Sequence, residues 1–331
     1  MESDAGHSKP DKGVTVKQMK RIAFFAVLTA MVCVGAHAAQ LSSDAKSAIP
    51  KDVQQIIVVD YHAMQNSKTA MDLKDKVLQP EIKRLETALI QSGLKVSDDA
   101  DVVGFAAFRI PGSDGTKLVG IAQGQFQTTK IMANFTKNKT KPVVVRNSSI
   151  YPMGSAGMSV VFLNQTTMIF GELDAVKAAL DARDGIIPNL LSNSDMLGDM
   201  VYVDKRAVWS LLDQTGTQTL MKTIVGEASQ VADYKAVNNS LRSSRYMMDF
   251  TNGVKFDMNI VTSDSMTSST AATLMKAAIL VKKNSGSETE KAALNNTTVD
   301  SNGGTLIISF SASDNEFSQL LASPLFQSVV K

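Results

Sequence analysis

Apolar and polar positions change period several times along this chain. Leu78, Ile82, Leu85 and Leu89 recur at i, i+4, i+7 and i+11, one face of a helix that Gly93 ends. Pro80 suits the first turn of that helix, which makes residues 71–79 a separate or kinked piece. DVVGFAAFRI and KLVGIAQGQF then read as strands, and Asp114-Gly115 in the PGSDGT between them predicts a hairpin. TTKIMANFTKN follows as a helix. The second half repeats the order: RYMMDFTN and GVKFDMNIV meet at Asn252-Gly253, and MTSSTAATLMKAAILVKK is helical.

Three correspondences suggest a duplication. VVDYHAM resembles YVDKRAV at an offset of 144, which equates Asp60 with Asp204. Asn147-Ser148-Ser149-Ile150 resembles Asn296-Thr297-Thr298-Val299. MIFGELDAVKAALDAR, residues 168–183, resembles LIISFSASDNEFSQLL, residues 306–321. This last strand-to-helix corner resembles a phosphate site, but its chemistry argues against one. Glu172 and Asp174 place carboxylates where a phosphate would need free N–H groups, and Ser313 and Glu316 form a capping box in the second copy. The corner is structural. The first half carries one strand more, MSVVFLN beside TTMIFG, where the second has only TLIISF.

The pattern therefore predicts an α+β protein of two similar domains, each a mainly antiparallel sheet with helices packed on one face. The expected boundaries are a lead-in at 39–49, a first repeat at 50–184, a connector at 185–199 and a second repeat at 200–331. The leucines and methionines of the connector imply that it packs. Ahead of these, Met19-Lys20-Arg21, the apolar run Ile22–Ala36 and Ala36-His37-Ala38 have the form of a secretory signal peptide over residues 1–38 with a long n-region, cleaved after Ala38. The run is short for a membrane span, so none is expected after cleavage, and either Met1 or Met19 is a plausible start.

Cleavage changes the charge reading. It removes five of 34 basic and three of 32 acidic residues, leaving 29 of each, so no net field remains to attract nucleic acid. Cys33 leaves as well, so no disulfide is expected, and the fold must rest on its core. Asn134, Asn138, Asn147, Asn164, Asn238, Asn295 and Asn296 open N-x-Ser/Thr sequons, which in a bacterium are only polar loop positions. IPKDVQQIIVVD, SGLKVSDDADVVGF and MIFGELDAVKAALDAR together resemble a diffuse class of exported bacterial proteins built from duplicated α+β units. The resemblance implies architecture and an extracytoplasmic address, periplasmic or secreted, and no site residues.

Candidate chemistry is sparse. His62 alone remains of three histidines, too few for a typical zinc or redox-metal site, so no metal or cofactor is expected. Without a nucleophile or an orienting group beside it, His62 reads as a junction residue. Gly154-Ser155-Ala156-Gly157 is not a nucleophile elbow, and Gly120 and Gly124 inside a strand mark a bulge or a close backbone approach. The run Ser97-Asp98-Asp99-Ala100-Asp101 lacks the ligand spacing of a calcium loop, and Lys137, Lys139, Lys141 and Arg146 lack the aromatic partners of a nucleic-acid surface. Methionine is the one compositional excess, and Met247, Met248, Met258, Met266 and Met275 crowd the predicted strands and helix of the second half, mainly as core filling. Met247, Met258 and Met275 are the candidates for an apolar ligand groove.

The residues therefore imply no catalytic constellation. They point to an exported, non-enzymatic binding or interaction protein whose partner is an apolar small molecule or another envelope protein. The rivals are a hydrolase whose carboxylates meet only in the fold and a purely structural envelope component.

Overall fold

A computed structural model describes residues 39–77, 80–110, 116–153, 157–225 and 232–323. The expected signal peptide, the Asp114-Gly115 turn and Ser155 lie outside the described residues. Twelve strands form one sheet, with every pairing antiparallel, in the order β11-β12-β10-β9-β8-β1-β2-β3-β7-β6-β5-β4. The first half supplies β1 (Val53–Asp60), β2 (Ala100–Arg109), β3 (Thr116–Gly124), β4 (Val143–Val145), β5 (Ser148–Met153), β6 (Met158–Phe162) and β7 (Thr167–Glu172). The second supplies β8 (Val208–Leu212), β9 (Leu241–Asp249), β10 (Val254–Thr262), β11 (Thr297–Asn302) and β12 (Thr305–Ala312). The protein is α+β, and the strands of the two halves do not interleave. Where the sequence assigns each half its own sheet, β1 and β8 instead pair and join the two blocks.

This junction has a local two-fold character. Ile57 stands opposite Ser210; the Asp60 N–H donates to Ala207 O, and the Asp213 N–H donates to Gln54 O, the same bond with the halves exchanged. Asp60 Oδ1 accepts the Ala63 N–H at 2.9 Å and Asp213 Oδ1 accepts the Gly216 N–H at 2.7 Å, so each carboxyl turns its strand into a helix. The counterpart of Asp60 is therefore Asp213. Asp204, equated with Asp60 on sequence, lies in the turn before β8 and accepts a bond from Gln40 Nε2. A three-letter likeness around an Asp-x-x-Ala was outweighed by where the β-branched and bulky run of β8 begins.

Helices cover the two blocks differently. Over the first block, α4 (Pro80–Gln91) and α6 (Thr128–Lys137) set Leu85, Leu89, Ile131 and Phe135 against Val160, Met168 and Phe170 on one face. The opposite face receives α7 (Leu173–Arg183), whose Ala175, Val176, Ala178, Ala179, Leu180 and Ala182 are all buried. Small side chains on so much of its circumference let α7 sit close to β3, β6 and β7. The lead-in 39–42, α1 (Ser43–Ser47) and α8 (Ser194–Met200) share that face, with Leu190, Met196 and Met200 of the segment before β8 buried there.

Over the second block, α9 (Gln214–Val225), α10 (Ala232–Ser240) and α11 (Ser265–Ser285) cover one face, where Met221, Tyr234, Val237, Ala271 and Met275 meet Met258, Ile260 and Ile308. The helix after β12, α13 (Asp314–Leu321), would correspond to α7. It packs instead beside α12 (Glu288–Asn295) and α3 (Lys68–Val77), through Phe317, Leu321, Leu73 and Phe310, on the side already covered. Thr69 Oγ1 donates to Asp314 Oδ1 at 2.6 Å across that contact.

Candidate interaction surface

Because α13 turns away, the face of β10, β12 and β11 opposite α11 carries no helix among the described residues, and on β9 that face meets α8 and the turn after it only through Arg245 and Met247. Strand pairing sets its side chains in rows: Arg245, Asn259, Ile307 and Asp300; Met247, Asp257, Ser309 and Thr298; Asp249, Lys255 and Ser311. Period-two alternation dictates this content, since Met258, Ile260, Leu306 and Ile308 take the intervening positions and are buried on the other face. Lys255, Thr298, Asp300 and Ser311 are exposed, and Arg245, Asp257, Asn259, Ile307 and Ser309 are half-buried.

The face is internally tied. Ser309 Oγ donates to Asp257 Oδ1 at 2.7 Å. Arg245 Nη1 donates to Asp199 Oδ1 at 3.0 Å, with the guanidinium 4.2 Å from the centroid of the Tyr202 ring, which is 68% exposed. Hydrogen bonds from the Thr251 backbone and side chain, with Lys255 and Arg206 nearby, hold the Asp249 carboxyl below its ordinary pKa. At the end of the face nearest the Asn252-Gly253 turn is an open depression of about 650 Å³, lined by Asn252, Lys255, Asn296, Ser311, Ser313 and Asp314 among others. Hydrogen-bonding groups and charges of both signs suit a polar surface better than a lipid-like molecule.

The three groove candidates are divided between the two faces of the sheet. Met258 and Met275 are 2% and 4% exposed in the core under α11, whereas Met247 is on the other face of the sheet and packs against the core that contains Trp209. His62 Nε2 lies 2.8 Å from Asp101 Oδ1, with the two side chains 45% and 55% exposed, and the pair faces solvent. Asp99 Oδ2 accepts the Lys95 N–H at 2.8 Å, so the acidic run includes a local cap.

Arg146 bridges Asp181 at 2.9 Å and Asp184 at 2.5 Å, leaving Lys137, Lys139 and Lys141 as the exposed members of the basic cluster. A Cβ on Gly124 would stand 1.9 Å from the backbone oxygen of Asp99, and one on Gly120 would stand 2.1 Å from the Phe170 ring. The close backbone approach expected at these glycines is found at Gly124, whereas Gly120 is crowded by a side-chain ring. Among the described residues, no three His, Cys, Asp or Glu side chains are grouped to hold a metal ion, and no helix is long and apolar enough to cross a membrane.

The open face was partly legible. Arg245, Asp249, Lys255, Asp257, Asn259, Ser309 and Ser311 recur at alternate positions of their strands, whereas TMIFG of β7 is buried on both sides. What the pattern lacked was the side to which α13 would fold.

No family model matches this chain, and no curated protein matches it. Among solved structures it is similar to crystal form I of TP0453, with a TM-score of 0.50 and 8% identity over 84% of this chain and 96% of that one. Crystal form III of TP0453 aligns at a TM-score of 0.48 and 8% identity over 86% and 99%. At such identity the likeness to crystal form I is one of fold alone.

Proposed function

We propose that this chain is an exported, non-enzymatic interaction protein of the bacterial envelope that receives a protein partner on the open face of β10, β12 and β11. The observation that supports the reading is the one-sided cover of β10, β12 and β11 among the described residues, with Asp249, Lys255, Asp257 and Asp300 set in rows on the open side. A flat face of mixed charge selects a partner by charge pairing across an interface, a task that needs neither a nucleophile nor a cofactor. The apolar-ligand alternative draws less support, because two of its three methionines fill the core.

The test places a photo-crosslinking side chain at Thr298 or Ser311 on the open face, and at Lys130 on α6 as a control, in cells that export the protein. A discrete adduct from the two face positions, absent at Lys130 and abolished by Lys255→Glu, is the expected result. Equal labelling from all three positions, or adducts indifferent to Lys255→Glu, would assign the face a structural role only.

A further inference from the structure

The lead-in 39–42 crosses the face of the sheet that α7 also covers. Ala39 is fully buried, and its carbonyl accepts the Trp209 indole N–H at 2.8 Å. Leu41 lies over Gly104 and Val58. Gln123 then clasps the segment from both sides, Nε2 donating to Gln40 O at 2.9 Å and Oε1 accepting the Ser42 N–H at 2.7 Å.

Strand register places these anchors around a single carboxyl group. Trp209 is paired with Val58, and Asp60 is two residues beyond Val58 on the same face, in the row Asp60, Val102, Gln123. One repeat along a strand is about 7 Å and neighbouring strands are about 5 Å apart, so the segment between Trp209 and Gln123 passes beside Asp60. Asp60 is 2% exposed, and its Oδ2 has no hydrogen-bond partner among the described residues. A buried carboxyl oxygen without a donor is costly, and the surroundings do not supply one. His62 is engaged with Asp101 and Asp204 accepts from Gln40, while Lys205 and Arg206 of the turn before β8 make no bond to it.

We infer that Asp60 is the counter-ion of the α-ammonium of Ala39, formed when the Ala38–Ala39 bond is cut. Hydrolysis adds water across that bond, leaves the carboxylate on Ala38, and gives Ala39 an amine that takes up a proton. The new charge appears on a residue already held in the core, on the segment that passes Asp60, whose Oδ2 is the one buried carboxyl oxygen without a donor among the described residues. Removal of the leader then completes the fold as well as releasing the chain, and the processed form is the more stable one. This rests on the export reading for the site of cleavage.

The experiment compares chains beginning at Ala39 with a free amine, with an acetylated amine, and with a Gly-Ser extension, each prepared in vitro by a protease that leaves the chosen terminus. The free-amine chain should melt several degrees above the other two, and its amine should titrate above the usual 7.7–8.0 range by about one unit or more. A raised folded-state pKa stabilises below the unfolded value and is lost as pH rises through the folded one. The advantage should therefore be present at pH 7 and disappear at about pH 9 and above. Asp60→Asn keeps the cap on Ala63 and should make all three chains melt together.

An amine with ordinary titration and full reactivity toward an acylating reagent in the folded chain would overturn the pairing, as would an unchanged difference in Asp60→Asn. Mass analysis of the exported protein tests the cleavage site independently. A natural terminus other than Ala39 would overturn the export reading's cleavage site and the pairing in the natural protein, while the prepared chains still report whether Asp60 can hold the amine.

Discussion

Trp209→Phe tests how far the lead-in contributes to the fold. Trp209 is fully buried in β8, at the seam where the two blocks of the sheet meet, and its indole N–H is the donor to Ala39 O. Phenylalanine keeps the ring in the core but removes that donor, leaving a buried carbonyl unsatisfied at a cost of about 1–3 kcal/mol. The smaller ring also gives up roughly two methylene equivalents of buried surface, about 1.6 kcal/mol. The sum is about 2.6–4.6 kcal/mol. In a unit this large each kcal/mol lowers the melting temperature by about 2 °C, so a fall of about 5–9 °C is expected. Circular dichroism of chains beginning at Ala39 measures it, because the substitution removes the only tryptophan and with it the fluorescence probe. A melting temperature within 1 °C of wild type, by this same estimate, would show that the lead-in does not dock on the sheet as described.

Gly124→Ala should cost about 1–3 kcal/mol through overpacking, because the neighbour its Cβ meets is the backbone oxygen of Asp99; urea midpoints would show it, and a neutral result would contradict the close approach of β3 to that turn. Burial raises the Asp213 pKa against the Gly216 and Thr215 N–H bonds that lower it, so Asp213→Asn, which keeps the cap and sheds the charge, should be neutral or stabilising at pH 7. Asp213→Ala should cost about 1–2 kcal/mol, and equal losses in the two variants would refute the separation of cap from charge. The Asp249 carboxyl, lowered chiefly by the Thr251 N–H, contributes stability above the unfolded carboxylate value of about 3.9 and loses it as pH falls through its lower folded value. Acid denaturation of Asp249→Asn should therefore show a shallower slope below about pH 4 than wild type, and identical slopes would remove Asp249 from the account.

The order and type of the elements were decided locally. Leu85 and Leu89 at helical spacing, the Asn252-Gly253 turn with its positive φ at Gly253, and the Ser313–Glu316 capping box all act within a few residues, so composition and spacing sufficed to place them. The antiparallel α+β class follows from the same short range, since tight turns between successive strands leave no other pairing. Three features were settled only in three dimensions. Pairing of β1 with β8 depends on two strand edges about 150 residues apart in sequence finding each other, and no local pattern records which edges remain free. The equivalence of Asp60 with Asp213, and not with Asp204, depends on where β8 ends, which its pairing with β1 decides. The bare face of the second block exists because α13 docks against α3 and α12 through Phe317 and Leu321. Each half-apolar helix had two sheet faces on which to bury its stripe, and only the packing of the whole chain chose between them.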